Sequence, residues 1–137
     1  MSDDLVQWLR VQHDADDRIA RRAGDSFRQI GETGVIVATE GDRAEECASA
    51  NWAGVAEHIV THDPARVLRE VDAKRRILEI HHVIGGWEDE DGQDIGLGCN
   101  ECGYSAEYSD RGGWCDTVRL LALPYADRPG YREEWRP

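Results

Sequence analysis

Three cysteines near the end of the sequence constrain the fold of this chain more than any other feature. Cys99 and Cys102 form a Cys-x-x-Cys pair that Gly103 follows, and twelve residues separate Cys102 from Cys115. Two thiolates at this spacing can bind one metal ion from a tight turn, and the glycine lets the backbone turn so that its amides face the sulfurs. Cys115 precedes a predicted short helix, whose free amides and dipole would stabilise a thiolate there. The pattern therefore predicts a structural zinc site.

The fourth ligand is expected from a histidine upstream of the pair. His81 and His82 end a predicted long helix, and the segment that follows is long enough to return to the cysteines. Either imidazole would complete a tetrahedral site with three thiolates. A redox-active dithiol agrees less well with the sequence, because a thioredoxin-like pair lies in a βαβ unit and this pair lies among glycines. Cys47 is predicted to be a buried small hydrophobic residue rather than a ligand.

The charge of the chain is strongly acidic. It has 16 basic and 28 acidic residues, which gives a formal net charge of −12. Such a field repels polyanions, so nucleic-acid binding is not expected. The charge is uneven, since residues 83–110 contain eight acidic residues and no basic one, whereas residues 64–82 carry five basic residues against three acidic ones. This contrast is typical of charge balance within one molecule.

Known catalytic motifs are absent from the sequence. None of the histidines, at positions 13, 58, 62, 81 and 82, has a glutamate two residues later as in nucleotide deaminases, and there is no His-Glu-x-x-His. His58 and His62, four residues apart, are interpreted as ordinary histidines. Lys74 is the only lysine and follows no glycine-rich phosphate loop. We assign no catalytic residue and no residue that binds an organic cofactor, and expect the chain not to be an enzyme.

Hydrophobic periodicity and breaker residues predict the main elements. Residues 3–23 favour a helix capped by Ser2, and residues 64–82 favour a longer one that begins at Pro64 after the cap Asp63. The remaining predictions are a strand at 35–38, an extended piece at 52–60 whose end at 57–61 is alternatively helical, a break at Gly85-Gly86, an acidic loop at 88–94, a hairpin at 95–110, a helix at 118–123 and a last helical turn after Pro129.

These elements together predict an α+β fold. Two main helices would pack with a small antiparallel sheet, and a zinc-knuckle module would form the C-terminal part. The length of 137 residues suits a single domain, with an N-terminal helix and short strands in 1–62 and the long helix plus the zinc-binding module in 63–137. Trp8 is expected to be a core residue of the first helix.

The cellular compartment is expected to be the cytoplasm. The acidic start of the chain does not resemble a signal peptide, and there is no apolar run long enough for a membrane span. Cysteines in a reducing compartment favour metal binding over disulfides.

Two segments of the sequence resemble a known family. They run from His62-Asp63-Pro64 to Ile80-His81 and from Trp114-Cys115 to Glu134-Trp135. With the Cys-x-x-Cys pair, they are similar to a family of uncharacterised small proteins, a domain of unknown function from actinobacteria and their phages. The resemblance implies His81 rather than His82 as the fourth ligand. It also implies a bacterial cytoplasm, or that of a host cell if a phage encodes the chain, and it implies no activity.

The leading hypothesis is a non-enzymatic zinc-binding module that binds an unknown protein partner. Five aromatic residues would form the contact surface or else pack around the zinc module: Trp87, Trp114, Tyr125, Tyr131 and Trp135. The alternatives are a nucleic-acid-associated zinc protein that uses the basic helix 64–82, an acidic mimic of DNA, and an unrecognised zinc hydrolase with Glu101 as its carboxylate. The oligomeric state is left open.

Overall fold

A computed structural model describes residues 4–137 and shows the predicted α+β fold. The helices among these residues are α1 (Asp4–Arg22), α2 (Ala53–Thr61), α3 (Pro64–Ile80), α4 (Ala106–Asp110) and α5 (Asp116–Ala122). The strands are β1 (Ser26–Gln29), β2 (Val35–Glu40), β3 (Arg43–Ser49), β4 (Val83–Glu88) and β5 (Asp94–Cys99). Two 3-10 turns follow at Leu123–Tyr125 and Glu133–Trp135. The strands form two antiparallel sheets, β1-β2-β3 and β4-β5.

The chain divides into two compact units. One, here called the metal unit, comprises Met1–His13 and Ala73–Pro137, and the other, the sheet unit, comprises Asp14–Asp72. Both boundaries fall inside helices, α1 and α3. The single domain with parts 1–62 and 63–137 remains a prediction.

The sheet unit contains the three-stranded sheet and α2. The strand predicted at 35–38 is confirmed and extends to Glu40. The helical alternative at 57–61 is confirmed, since α2 occupies Ala53–Thr61. The extended piece predicted at 52–60 is therefore wrong over most of its length. Its β-branched residues favour a strand, but the fully buried Ala56 and the packing of α2 against β1 and β2 outweigh this weak local preference.

Cys47 is exposed, so its predicted burial is wrong. It lies in β3, an edge strand in which every residue is exposed. Ile36 pairs with Ala48 and Val37 with Glu46, so Cys47 is the extra residue of a β-bulge. Because the residues of this edge strand are all exposed, the bulge does not bring Cys47 into a hydrophobic core.

The two long helices agree closely with the predictions. α1 extends over Asp4–Arg22, and the Ser2 cap that was predicted for it lies outside the described residues. α3 begins at Pro64 as predicted, and the Asp63 carboxylate accepts a hydrogen bond of 3.0 Å from the backbone N–H of Arg66. α3 ends at Ile80 rather than at residue 82, which places both His81 and His82 just beyond its last turn.

The metal unit has a hydrophobic core drawn from both ends of the chain. Trp8 packs against this core, as predicted, and its indole Nε1 donates to the Pro129 carbonyl at 3.1 Å. The buried members of the core are Leu5, Leu9, Leu78, Cys99, Trp114, Cys115, Val118, Ala122, Tyr125 and Trp135. Three of the five aromatic residues considered for a contact surface, Trp114, Tyr125 and Trp135, are therefore buried in this core.

The hairpin predicted at 95–110 is wrong in its position. β4 and β5 form the hairpin instead, on either side of the acidic loop. Gly85-Gly86, which are predicted to break the long helix, lie within β4 after α3 has ended. Residues 106–110 form the short helix α4, because the Ser105 hydroxyl caps it by accepting from the N–H of Tyr108 at 3.0 Å. No helix in the described part of the chain has both the length and the apolarity needed to span a bilayer.

Candidate metal centre

A tight turn after β5 positions the first two sulfurs. Cys99 and Gly103 exchange two backbone hydrogen bonds, each of 2.9 Å, and Gly103 has a φ of +91°, which favours glycine. Inside this turn the backbone N–H of Cys102 donates to the Cys99 Sγ at 3.3 Å. The turn therefore presents both sulfurs on one side, as the Cys-x-x-Cys-Gly spacing predicts.

The third sulfur comes from the start of α5. Cys115 is the N-cap of α5, with an extended backbone, and it is fully buried. This position directs the Cys115 side chain into the core that also contains Cys99. All four cysteines of the chain lie among the described residues, and all are free thiols.

The imidazole of His81 meets the three sulfurs. Its Nδ1 lies 3.4 Å from the Sγ of Cys99, 3.4 Å from that of Cys102 and 3.6 Å from that of Cys115. All four atoms lie within 4.8 Å of one another. In an ideal tetrahedral zinc site, bonds of about 2.3 Å to sulfur and about 2.0 Å to nitrogen place each N–S pair about 3.5 Å apart. The four side chains can therefore hold a metal ion.

His82 takes a different position. Its ring Nδ1 lies 2.8 Å from the carbonyl oxygen of Glu79, and the residue is exposed. Of the two adjacent histidines that the spacing left open, the structure brings the ring of His81 to the sulfurs. Cys47, in the sheet unit, is not part of the cluster.

A family model covers residues 2–137, which is nearly the whole chain. The chain belongs to DUF6221, a family of unknown function. No curated protein and no solved structure matches it. The resemblance to a family without an assigned activity is thereby confirmed, and membership of DUF6221 assigns no chemistry to the site.

The electrostatics of the cluster favour protonated thiols until a cation enters. Loss of hydration raises the pKa of the Cys102 thiol to about 12, with further contributions from the Cys99 and Cys115 sulfurs. Cys102 is exposed as a residue, but its Sγ lies against the other ligand atoms. Burial also raises the pKa of Cys115, and the backbone N–H of Val118 works in the opposite direction. Three adjacent thiolates repel each other, so a bound divalent cation is what would stabilise them.

A buried arginine, which the sequence analysis missed, lies one turn after Cys115. Arg119 has no exposed surface, and its Nη2 donates to the Glu107 carboxylate at 3.2 Å and to that of Asp116. Its Nε and Nη1 have no hydrogen-bond partner among residues 4–137. The signal in the sequence that could have revealed Arg119 is its spacing from Asp116, because an acidic and a basic residue three positions apart in a helix can form an ion pair.

Proposed function

We propose that this protein binds a structural Zn²⁺ through the Sγ atoms of Cys99, Cys102 and Cys115 and the Nδ1 of His81. The observation that supports this most is the agreement of the three N–S distances, 3.4, 3.4 and 3.6 Å, with the edges of a zinc tetrahedron. Zinc suits the ligands as well, since thiolates and imidazole select it over the hard cations Mg²⁺ and Ca²⁺.

A structural role follows from the number of ligands. Four protein ligands complete the tetrahedron, whereas catalytic zinc keeps a position for water. The ligands come from the segment after α3, the turn after β5 and the start of α5, so one ion would connect three parts of the metal unit. Structural zinc contributes on the order of 10 kcal/mol, comparable to the 5–15 kcal/mol that stabilises a typical domain.

Native mass spectrometry of the full chain, before and after treatment with a chelator, tests the proposal. We expect one zinc per chain and a large decrease in melting temperature when the ion is removed. A protein that binds no zinc, or that melts at the same temperature without it, would contradict a structural role. Substitution with Co²⁺ tests the hydrolase alternative, because an exchangeable water in the cobalt spectrum would indicate an open coordination site.

We also propose that the zinc-supported fold serves as a non-enzymatic interaction module in a bacterial cytoplasm, encoded by an actinobacterium or its phage. The aromatic residues do not support this interaction role, since Trp114, Tyr125 and Trp135 are buried. The acidic loop supports it, because every residue from 88 to 94 is exposed. A pull-down compared with a chain whose loop acids are changed to Asn and Gln would test it, and equal capture of each protein by both chains would argue against it.

Nucleic-acid binding by the basic helix is the weaker candidate. Arg66 pairs with Glu70 at 2.9 Å, and the Lys74 ammonium donates to the Tyr125 hydroxyl at 3.2 Å. Side chains used in this way are poorly placed to follow a phosphate backbone. A fluorescence anisotropy titration with labelled DNA and RNA at low salt should stay flat. An acidic mimic of DNA would instead displace DNA from a nucleic-acid enzyme.

A further inference from the structure

The metal unit contains a groove whose residues include none of the four metal ligands. It has a volume of about 550 Å³, which is within the range of about 300–1,000 Å³ typical of small-molecule sites. Its walls come from α1, the end of α3, β4 and β5. The apolar side chains that line it are Val6, Leu78, Val83, Ile84 and Leu97.

One wall of the groove offers hydrogen-bond donors. Gln7 and Arg10 are exposed, they lie one turn apart in α1, and both line the groove. Neither side chain takes part in the hydrogen bonds and ion pairs found among residues 4–137. A guanidinium beside apolar surface is a good partner for a carboxylate, which it binds through two parallel hydrogen bonds.

Another part of the lining offers acceptors. Glu79 lines the groove, and its carboxylate forms no ion pair or hydrogen bond with the described residues. His82 also lines the groove, and its Nδ1 donates to the Glu79 carbonyl oxygen at 2.8 Å. Acceptors here and donors on α1 suit a ligand that carries both an ammonium and a carboxylate.

We propose that this groove binds a free amino acid with an apolar side chain. The carboxylate would bind Arg10 and Gln7, the ammonium would bind Glu79, and the side chain would lie on the apolar surface. The net charge of −12 opposes simple anions, but a zwitterion carries no net charge. Local contacts decide the affinity because charges beyond about 8 Å are screened at physiological salt.

The test is an NMR titration of the zinc-loaded, ¹⁵N-labelled full chain with three matched probes. They are L-phenylalanine, N-acetyl-L-phenylalanine, which lacks the ammonium, and L-phenylalanine amide, which lacks the carboxylate. We expect phenylalanine to shift the amides of residues 6–10 and 82–85, with a dissociation constant on the order of 0.1–1 mM. Each of the other probes should bind at least about tenfold more weakly, because each leaves one charged group of the groove without a partner.

A matched pair of variants assigns the site to the groove. Arg10→Gln should weaken phenylalanine binding by about tenfold or more, and the melting temperature should not change because the side chain is exposed. Arg18→Gln, on the same helix but outside the groove, should leave binding unchanged. Equal binding of all three probes, shifts elsewhere in the chain, no binding of phenylalanine, or equal effects of the two variants would overturn the proposal.

Discussion

The backbone N–H of Asn100 donates to the carbonyl oxygen of His82 at 2.9 Å. This hydrogen bond joins the residue after Cys99 to the residue after His81, so the backbone holds two ligand-bearing segments side by side. Folding of the backbone therefore already accounts for part of the conformational entropy that these segments lose, and binding of the ion accounts only for the rest. A site that is already ordered in this way binds its ion more tightly than a flexible one.

Replacing Cys115 by serine should remove the zinc and destabilise the protein. A hydroxyl does not ionise near neutral pH, so the ion would lose one of three thiolates. The loss of several kcal/mol corresponds to a decrease of about 10 °C or more in melting temperature. Cys47→Ser is the control, because Cys47 is exposed and outside the cluster. Calorimetry that finds the two variants equally stable would contradict the proposed site.

The adjacent histidines provide a second matched comparison. His81→Asn should lower the zinc affinity by at least about 100-fold, because it removes a direct ligand. His82→Asn should have little effect, since the His82 ring lies on the Glu79 carbonyl rather than on the sulfurs. Competition with a chromophoric chelator measures both affinities. If His82→Asn were the variant that lost the ion, the assignment of the ligand would be wrong.

Zinc binding should release protons. The raised pKa values of Cys102, about 12, and of Cys115 keep both thiols protonated near neutral pH in the metal-free chain. The ion binds thiolates, so these protons leave as it enters, and the zinc affinity decreases as the pH falls. Calorimetric titrations in buffers of different ionisation enthalpy should give about two or more protons per zinc. Binding without proton release would exclude coordination by these thiols.

Replacing Gly113 by alanine should destabilise the protein more than the same change at Gly92, although both glycines have a positive φ. A Cβ at Gly113 would lie 2.5 Å from the Val83 Cγ1 and 2.9 Å from the Leu97 Cβ, and φ is +89°. Gly92 has a similar φ of +77° but no atom within 4 Å of such a Cβ. Gly92→Ala should therefore cost about 1 kcal/mol, from the backbone alone, and Gly113→Ala about 3 kcal/mol or more.

Chemical denaturation of both glycine variants measures this difference. It isolates the close packing of Gly113 against the β4-β5 hairpin, since the backbone penalty is common to the two substitutions. Equal losses of unfolding free energy would mean that the hairpin moves away at little cost.

The arrangement of the cysteines could be predicted because their chemistry is local. A Cys-x-x-Cys-Gly sequence specifies a turn with both sulfurs on one side, and Cys115 lies at the start of a helix that Pro124 ends. His81 could not be separated from His82 by spacing, because the choice depends on where α3 stops. The structure ends α3 at Ile80, with the ring of His81 at the sulfurs and the ring of His82 at the Glu79 carbonyl oxygen.

The errors occur where tertiary packing outweighs local preference. Gly85 and Gly86 predict only that the long helix does not continue, and the pairing of β4 with β5 is what places them in a strand. The β-branched residues of 52–60 predict an extended segment, yet a helix covers the sheet there. Cys47 is predicted to be buried because free cysteines usually are, yet it is exposed because β3 is an edge strand.

The core of the metal unit unites Leu5 and Leu9 with Trp135, so residues almost a full chain length apart must meet before it is complete. During synthesis, Leu5 and Leu9 leave the ribosome long before Trp135 exists. Until then their apolar side chains stay without the partner that covers them, while all four metal ligands have already been made. The hydrophobic interior of this unit can therefore close only once Trp135 has left the ribosome.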